Sequence, residues 1–103
     1  MATHLLYGVR APVAAATARF IGGLLGCTFQ ERESDYLGIY WIARLDGVEV
    51  RVVSQPDPEG ESLEEDFSEF ATLVYVDGAA IAVDLSGARI EGGIVEALRS
   101  SGG

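Results

Sequence analysis

One histidine, one cysteine, sixteen carboxylates and seven arginines supply nearly all the acid–base and ligand chemistry of this 103-residue chain. His4 and Glu49 have the right chemistry for a metal site, but such a site needs further His or carboxylate ligands on neighbouring strands. The pattern places none, so no metal or other cofactor is favoured. Cys27 follows a helix end and has no base close in sequence, so nothing activates it as a nucleophile. It reads as a small buried hydrophobe. No serine sits in a nucleophile elbow. Gly22-Gly23-Leu24-Leu25-Gly26 lies at the wrong end of its helix to capture an anion. No catalytic residue emerges, and an enzyme is the less favoured reading.

Two groupings suit binding instead. Tyr36, Tyr40, Ile42, Arg44 and Arg51 fall on one face of a predicted sheet, and mixed aromatic and Arg composition is typical of interaction surfaces. That face is solvated, forms a dimer seam, or lines a ligand cavity. The second grouping is a long connection over residues 55–70. It carries Asp57, Glu59, Glu61, Glu64, Glu65, Asp66 and Glu69 without a base, and would attract a basic partner. Pro56 and Pro58 disfavour a helix or central strand at its start, while Phe67 and Phe70 anchor its far end.

The elements that carry these residues follow from periodicity and turn chemistry. Leu5, Tyr7 and Val9 alternate as one face of a strand over residues 4–9. Pro12 suits the first turn of a helix, along which Val13, Ala16, Phe20 and Leu24 recur at helical spacing. Gly26 is a left-handed terminator. A strand over 28–32 and a polar corner at 33–35 precede a strand from Tyr36 to Leu45. Asp46-Gly47 then forms a two-residue hairpin turn, and Val48 to Ser54 returns. This turn sets Leu45 opposite Val48, Ala43 opposite Val50 and Trp41 opposite Val52, all apolar. On the other face Arg44 meets Glu49 and Ile42 meets Arg51. A strand over 72–76, a second hairpin at Asp77-Gly78 with a strand over 80–85, a helix over 88–99 and a disordered tail over 100–103 complete the expectation. For residues 79–85 a helix is the rival. The class is α+β: a mostly antiparallel sheet of βαβββ type with two helices packed on it, in one domain.

The net charge of −9 opposes nucleic acid, because phosphate binding needs a basic face. No apolar run approaches the roughly 20 residues of a membrane span, and no secretory signal is visible. A single cysteine excludes an internal disulfide and fits a cytoplasmic protein. The seven basic residues are all Arg and Asn is absent, as in products of GC-rich genomes, which suits a bacterial origin.

Phe20-Ile21-Gly22-Gly23-Leu24-Leu25-Gly26-Cys27, followed by the hairpin, resembles the vicinal oxygen chelate superfamily of glyoxalases, bleomycin-resistance proteins and extradiol dioxygenases. The module of that family is a strand, a helix and three strands, its helix ending in an aromatic pair, a few residues, then Leu-Gly and an apolar residue. Ile21 stands where a Tyr is common. The likeness covers residues 4–54 and restarts at Leu73-Val74-Tyr75-Val76-Asp77-Gly78, so the chain holds one module and a fraction. The resemblance implies that a cavity would need a second copy. It also places His4 where metal-using members carry a ligand, so that a homodimer would supply His4 and Glu49 twice. Three expectations result: a non-enzymatic binding protein using its sheet face for a small ligand or a second copy; an acidic immunity or inhibitor protein for a basic partner such as a toxin; and a metal-dependent glyoxalase- or dioxygenase-like homodimer.

Overall fold

The computed structural model describes residues 3–78 and 84–102. Its frame is a six-stranded antiparallel sheet in the order β2-β3-β4-β5-β1-β8. The strands are β1 (Thr3–Val9), β2 (Gln30–Ser34), β3 (Gly38–Leu45), β4 (Val48–Ser54), β5 (Thr72–Gly78) and β8 (Glu96–Gly102), with α1 (Ala14–Leu25) between β1 and β2. The short strands β6 (Arg89–Ile90) and β7 (Gly93–Ile94) pair with each other.

The β3–β4 hairpin has the expected register: Trp41 faces Val52, Ala43 faces Val50, and Arg44 faces Glu49. Asp46 at φ 44° and Gly47 at φ 79° supply the two positive angles that the turn needs. On one face of the sheet Tyr7, Val9, Val48, Val50, Val52, Val74 and Val76 are buried against α1. Leu85 and Val95 complete that core. The side chain of Trp41 is half-buried at its margin and borders a cleft of about 500 Å³ with Ala15, Ala18, Gly22, Cys27 and Phe29.

Helix α1 buries Ala14, Thr17, Ala18, Ile21 and Gly22, a stripe one position away from the expected one, and leaves Leu24 exposed. Apart from Ile21 the residues it buries are small, which lets α1 lie close to the sheet. The return of the chain reinforces this: Cys27 N–H bonds Gly22 O at 2.9 Å, and a Cβ on Gly22 would come within 2.8 Å of Cys27 O. Gly26 at φ 70° ends the helix as expected. Pro12 precedes the first turn instead of opening it. The helix start is held by Thr72 of β5, which accepts from Val13 N–H at 3.0 Å and donates to Ala11 O at 2.8 Å.

The C-terminal third departs most from expectation. No second helix spans 88–99; β6, β7 and β8 take its place. Gly92 at φ 92° turns the chain between β6 and β7, and Gly93 brings the backbone against Val9. Ile90, Ile94 and Leu98 recur every four residues, a spacing that also fits an alternating strand. The expected tail is also strand, since Ser100 pairs with Leu5 and Ser101 with His4. Asp77-Gly78 is no hairpin turn but the end of β5, whose two edges are taken by β4 and β1. The strand expected over 80–85 falls almost wholly outside the described residues.

Candidate docking surface

The second face of the sheet, expected to be open, is partly covered by the chain's own acidic connection. Residues 55–70 fold back as a strap, with one 3₁₀ turn at Glu65–Phe67. Leu6, Val53, Phe70 and Leu73 form a small second core, with Leu37, Tyr40, Leu63, Phe67, Tyr75 and Leu98 packed around it. Gln55 staples the strap. The residue is 5% exposed; its Nε2 donates to Phe67 O and Phe70 O, both at 2.7 Å. Oε1 accepts from Leu63 N–H at 3.0 Å and Glu64 N–H at 3.1 Å. Both donors and both lone pairs of the amide are thereby used.

Of the acids on the strap, Glu64 points inward. It accepts from the Tyr75 hydroxyl at 2.6 Å and from Arg99 at 2.9 Å. Burial pushes the Glu64 carboxyl up, but the hydrogen bonds from Tyr75 and Arg99 outweigh it and hold the group below its ordinary value. Tyr75 moves up, first through burial and then through its bond to Glu64. Asp57 is structural as well, with Oδ1 accepting from the backbone N–H groups of Glu59 and Glu61 at 2.9 Å. Glu59, Glu61, Glu65, Asp66 and Glu69 are exposed.

The residues expected on the sheet face divide. Tyr40, Ile42, Arg44 and Arg51 share it, on β3 and β4. Tyr36 does not: β3 begins at Gly38, and Tyr36 stands in the preceding turn with 69% of its surface exposed. Ser34 Oγ holds that turn through Leu37 N–H at 2.8 Å. His4, Asp77, Glu49 and Arg44 lie on one row across β1, β5, β4 and β3. His4 Nδ1 is 2.8 Å from Asp77, and Arg44 is 2.9 Å from Glu49. Arg51, from the next row, lies 3.6 Å from both Glu49 and Asp77 and 5.2 Å over the Tyr75 ring. It screens two carboxylates that face each other. Its Nε is buried without a hydrogen bond, so the pairing is Coulombic. Asp77 was missed in the sequence because Asp-Gly reads as a turn.

That row sets what the face can do. Arg44, Arg51 and Arg99 are each matched by internal carboxylates, so an anionic ligand would have to displace them. His4 and Glu49 are separated by Asp77, and among the described residues no group of three or more His, Cys, Asp or Glu side chains is placed to hold a metal ion. Cys27 is half-buried rather than buried, and burial pushes its thiol up, away from the reactive thiolate. Among the described residues no helix is long and apolar enough to cross a membrane.

A different surface is left unmatched. Where the strap crosses the start of β3, with Pro58 against Gly38, it meets the β2–β3 turn. Asp35, Tyr36, Asp57, Glu59, Glu61 and Ser62 line a cleft of about 530 Å³ there. Four carboxylates surround one exposed aromatic ring, and no basic residue lines the cleft. Strand β2 leads into this turn, and its Glu31 and Glu33 are exposed on the α1 face of the sheet, the face opposite the strap. Neither a scan against protein-family models nor searches of the curated proteins and of the solved structures found a match.

Proposed function

We propose that this chain is a non-enzymatic binding protein that docks a basic protein partner, as an inhibitor of the immunity-protein type would. The observation that carries this reading is Tyr36, solvent-exposed among Asp35, Asp57, Glu59 and Glu61. An exposed tyrosine is a frequent interface anchor. A surrounding field of one sign steers an oppositely charged partner and speeds encounter at low salt. The overall charge of −9 acts in the same direction, and four of the seven arginines are occupied by internal carboxylates. Wild-type protein on a column, loaded with lysate of the cells that encode it, retains a protein of pI above about 9 and releases it as salt screens the surface. A column carrying Asp35→Asn, Glu59→Gln and Glu61→Gln together loses that protein; undiminished retention refutes the reading.

The second reading is a single vicinal-oxygen-chelate-like module that binds a small ligand or a second copy through its sheet face. The order β1-α1-β2-β3-β4 favours it. It requires a free face, however, and the strap and the ion-pair row occupy much of that face, so it ranks below the first. The metal-dependent homodimer, which needs His4 and Glu49 as ligands, ranks last because Asp77 and Arg44 already engage them.

A further inference from the structure

Strand β2 is an edge of the sheet: Gln30 to Ser34 pair with β3 in an unbroken register. Among the described residues no strand pairs its outer side. An unprotected edge of this kind presents free N–H and C=O groups and is a template for another strand. The opposite edge, β8, is less regular, since its register against β1 shifts between Leu6 and Tyr7, and such irregularities blunt an edge. The side chains of β2 decide what can pair with it. In an antiparallel pair with a second copy, residues on the same face stand opposite each other. The central registers then set Glu31 against Glu33 with Arg32 against Arg32, or Glu31 against Glu31, or Glu33 against Glu33. Like charges placed directly opposite are destabilising, so this edge rejects its own copy.

The same residues welcome a different strand. Glu31 and Glu33 lie on one face, opposite Trp41 and Ile39, while Gln30 and Arg32 lie on the other. Glu31 also borders the cleft beneath α1, and β2 ends beside Asp35 and Tyr36, which border the acidic cleft. We propose that the edge of β2 accepts an extended segment of the partner as a seventh strand, with basic side chains at every second position facing Glu31 and Glu33. This inference rests on the acidic docking reading and adds its binding mode. Backbone hydrogen bonds would supply the pairing and the two glutamates the choice of sequence, as in other strand-addition complexes.

The probe is the peptide acetyl-Lys-Val-Lys-Val-Lys-Val-Lys-amide, compared with a counterpart N-methylated at every residue, which keeps the charge but cannot donate in a ladder. Titrated into isotopically labelled protein, the first peptide should shift and protect the amides of residues 30–34. The methylated peptide should bind at least about tenfold more weakly. Glu31→Lys with Glu33→Lys should abolish the protection while the Arg44–Glu49 hairpin keeps its shifts. Equal binding of the two peptides overturns strand addition and leaves acidic docking standing. If neither peptide binds, strand addition falls, and the acidic docking reading stands or falls on the column experiment alone.

Discussion

Gln55 and Glu64 hold the strap by different means, and substitutions should tell them apart. Gln55→Ala removes an amide with four backbone partners and leaves buried groups unsatisfied, which should cost about 2–3 kcal/mol. Urea unfolding would measure this as a lower midpoint with an unchanged slope. Glu64→Gln keeps the shape but loses the charge, and should cost about 1 kcal/mol, because its partner Arg99 is half exposed and screened. Acid should have a related effect. The folded Glu64 carboxyl is held below its unfolded value. Its stabilisation is therefore complete above the ordinary glutamate range of about 4.3 and is lost as pH falls through the folded value. Amide exchange over residues 62–70 should accelerate in the wild type as pH drops below about 4, after correction for intrinsic exchange. In Glu64→Gln that step should be absent. The inward turn of Glu64 was hidden in the sequence because it sits in a run of acids. Phe67 and Phe70 are the visible sign that this run folds back, and Leu63, isolated among acids, packs with them.

At the scale of the element, the hairpins were legible where turn chemistry and side-chain pattern agree. Asp46-Gly47 with its matched rungs admits one register, and the structure has it. The C-terminal segment was misread because its isoleucines and leucine fit two periods at once. Gly92-Gly93, which would weaken a helix, are the turn and close approach of a hairpin. Gly92→Ala therefore discriminates by sign. In a helix the change would stabilise by about 1 kcal/mol. Here it forces a side chain into φ 92° with its Cβ 2.9 Å from Val13 Cγ1, and should destabilise by about 1–3 kcal/mol. Thermal unfolding of that variant reads the difference. The helix face was misjudged for a related reason. The stripe of larger residues looked like the buried one, whereas close packing on the sheet selected Ala14, Thr17, Ala18 and Gly22. The start of β3 was displaced by two residues because Gly38 adopts φ 71°, and that displacement took Tyr36 off the sheet face.

For the whole molecule, the sign of the charge was plain from composition, but its placement was not. Arginines scattered along the chain converge on carboxylates across strands, and the excess acid gathers where the strap meets the β2–β3 turn. Position, and not net charge alone, should govern binding. Glu59→Gln with Glu61→Gln and Asp46→Asn with Glu91→Gln each remove two negative charges, the first pair in the cleft and the second in turns outside its lining. The most direct measurement is calorimetric titration of the retained basic partner against the wild type and these two variants, at low and at raised salt. Wild type and the Asp46/Glu91 variant should bind alike and weaken together as salt rises, while the Glu59/Glu61 variant binds at least about tenfold more weakly at low salt. Equal weakening of both variants, or affinity indifferent to salt, would contradict a localised acidic docking site.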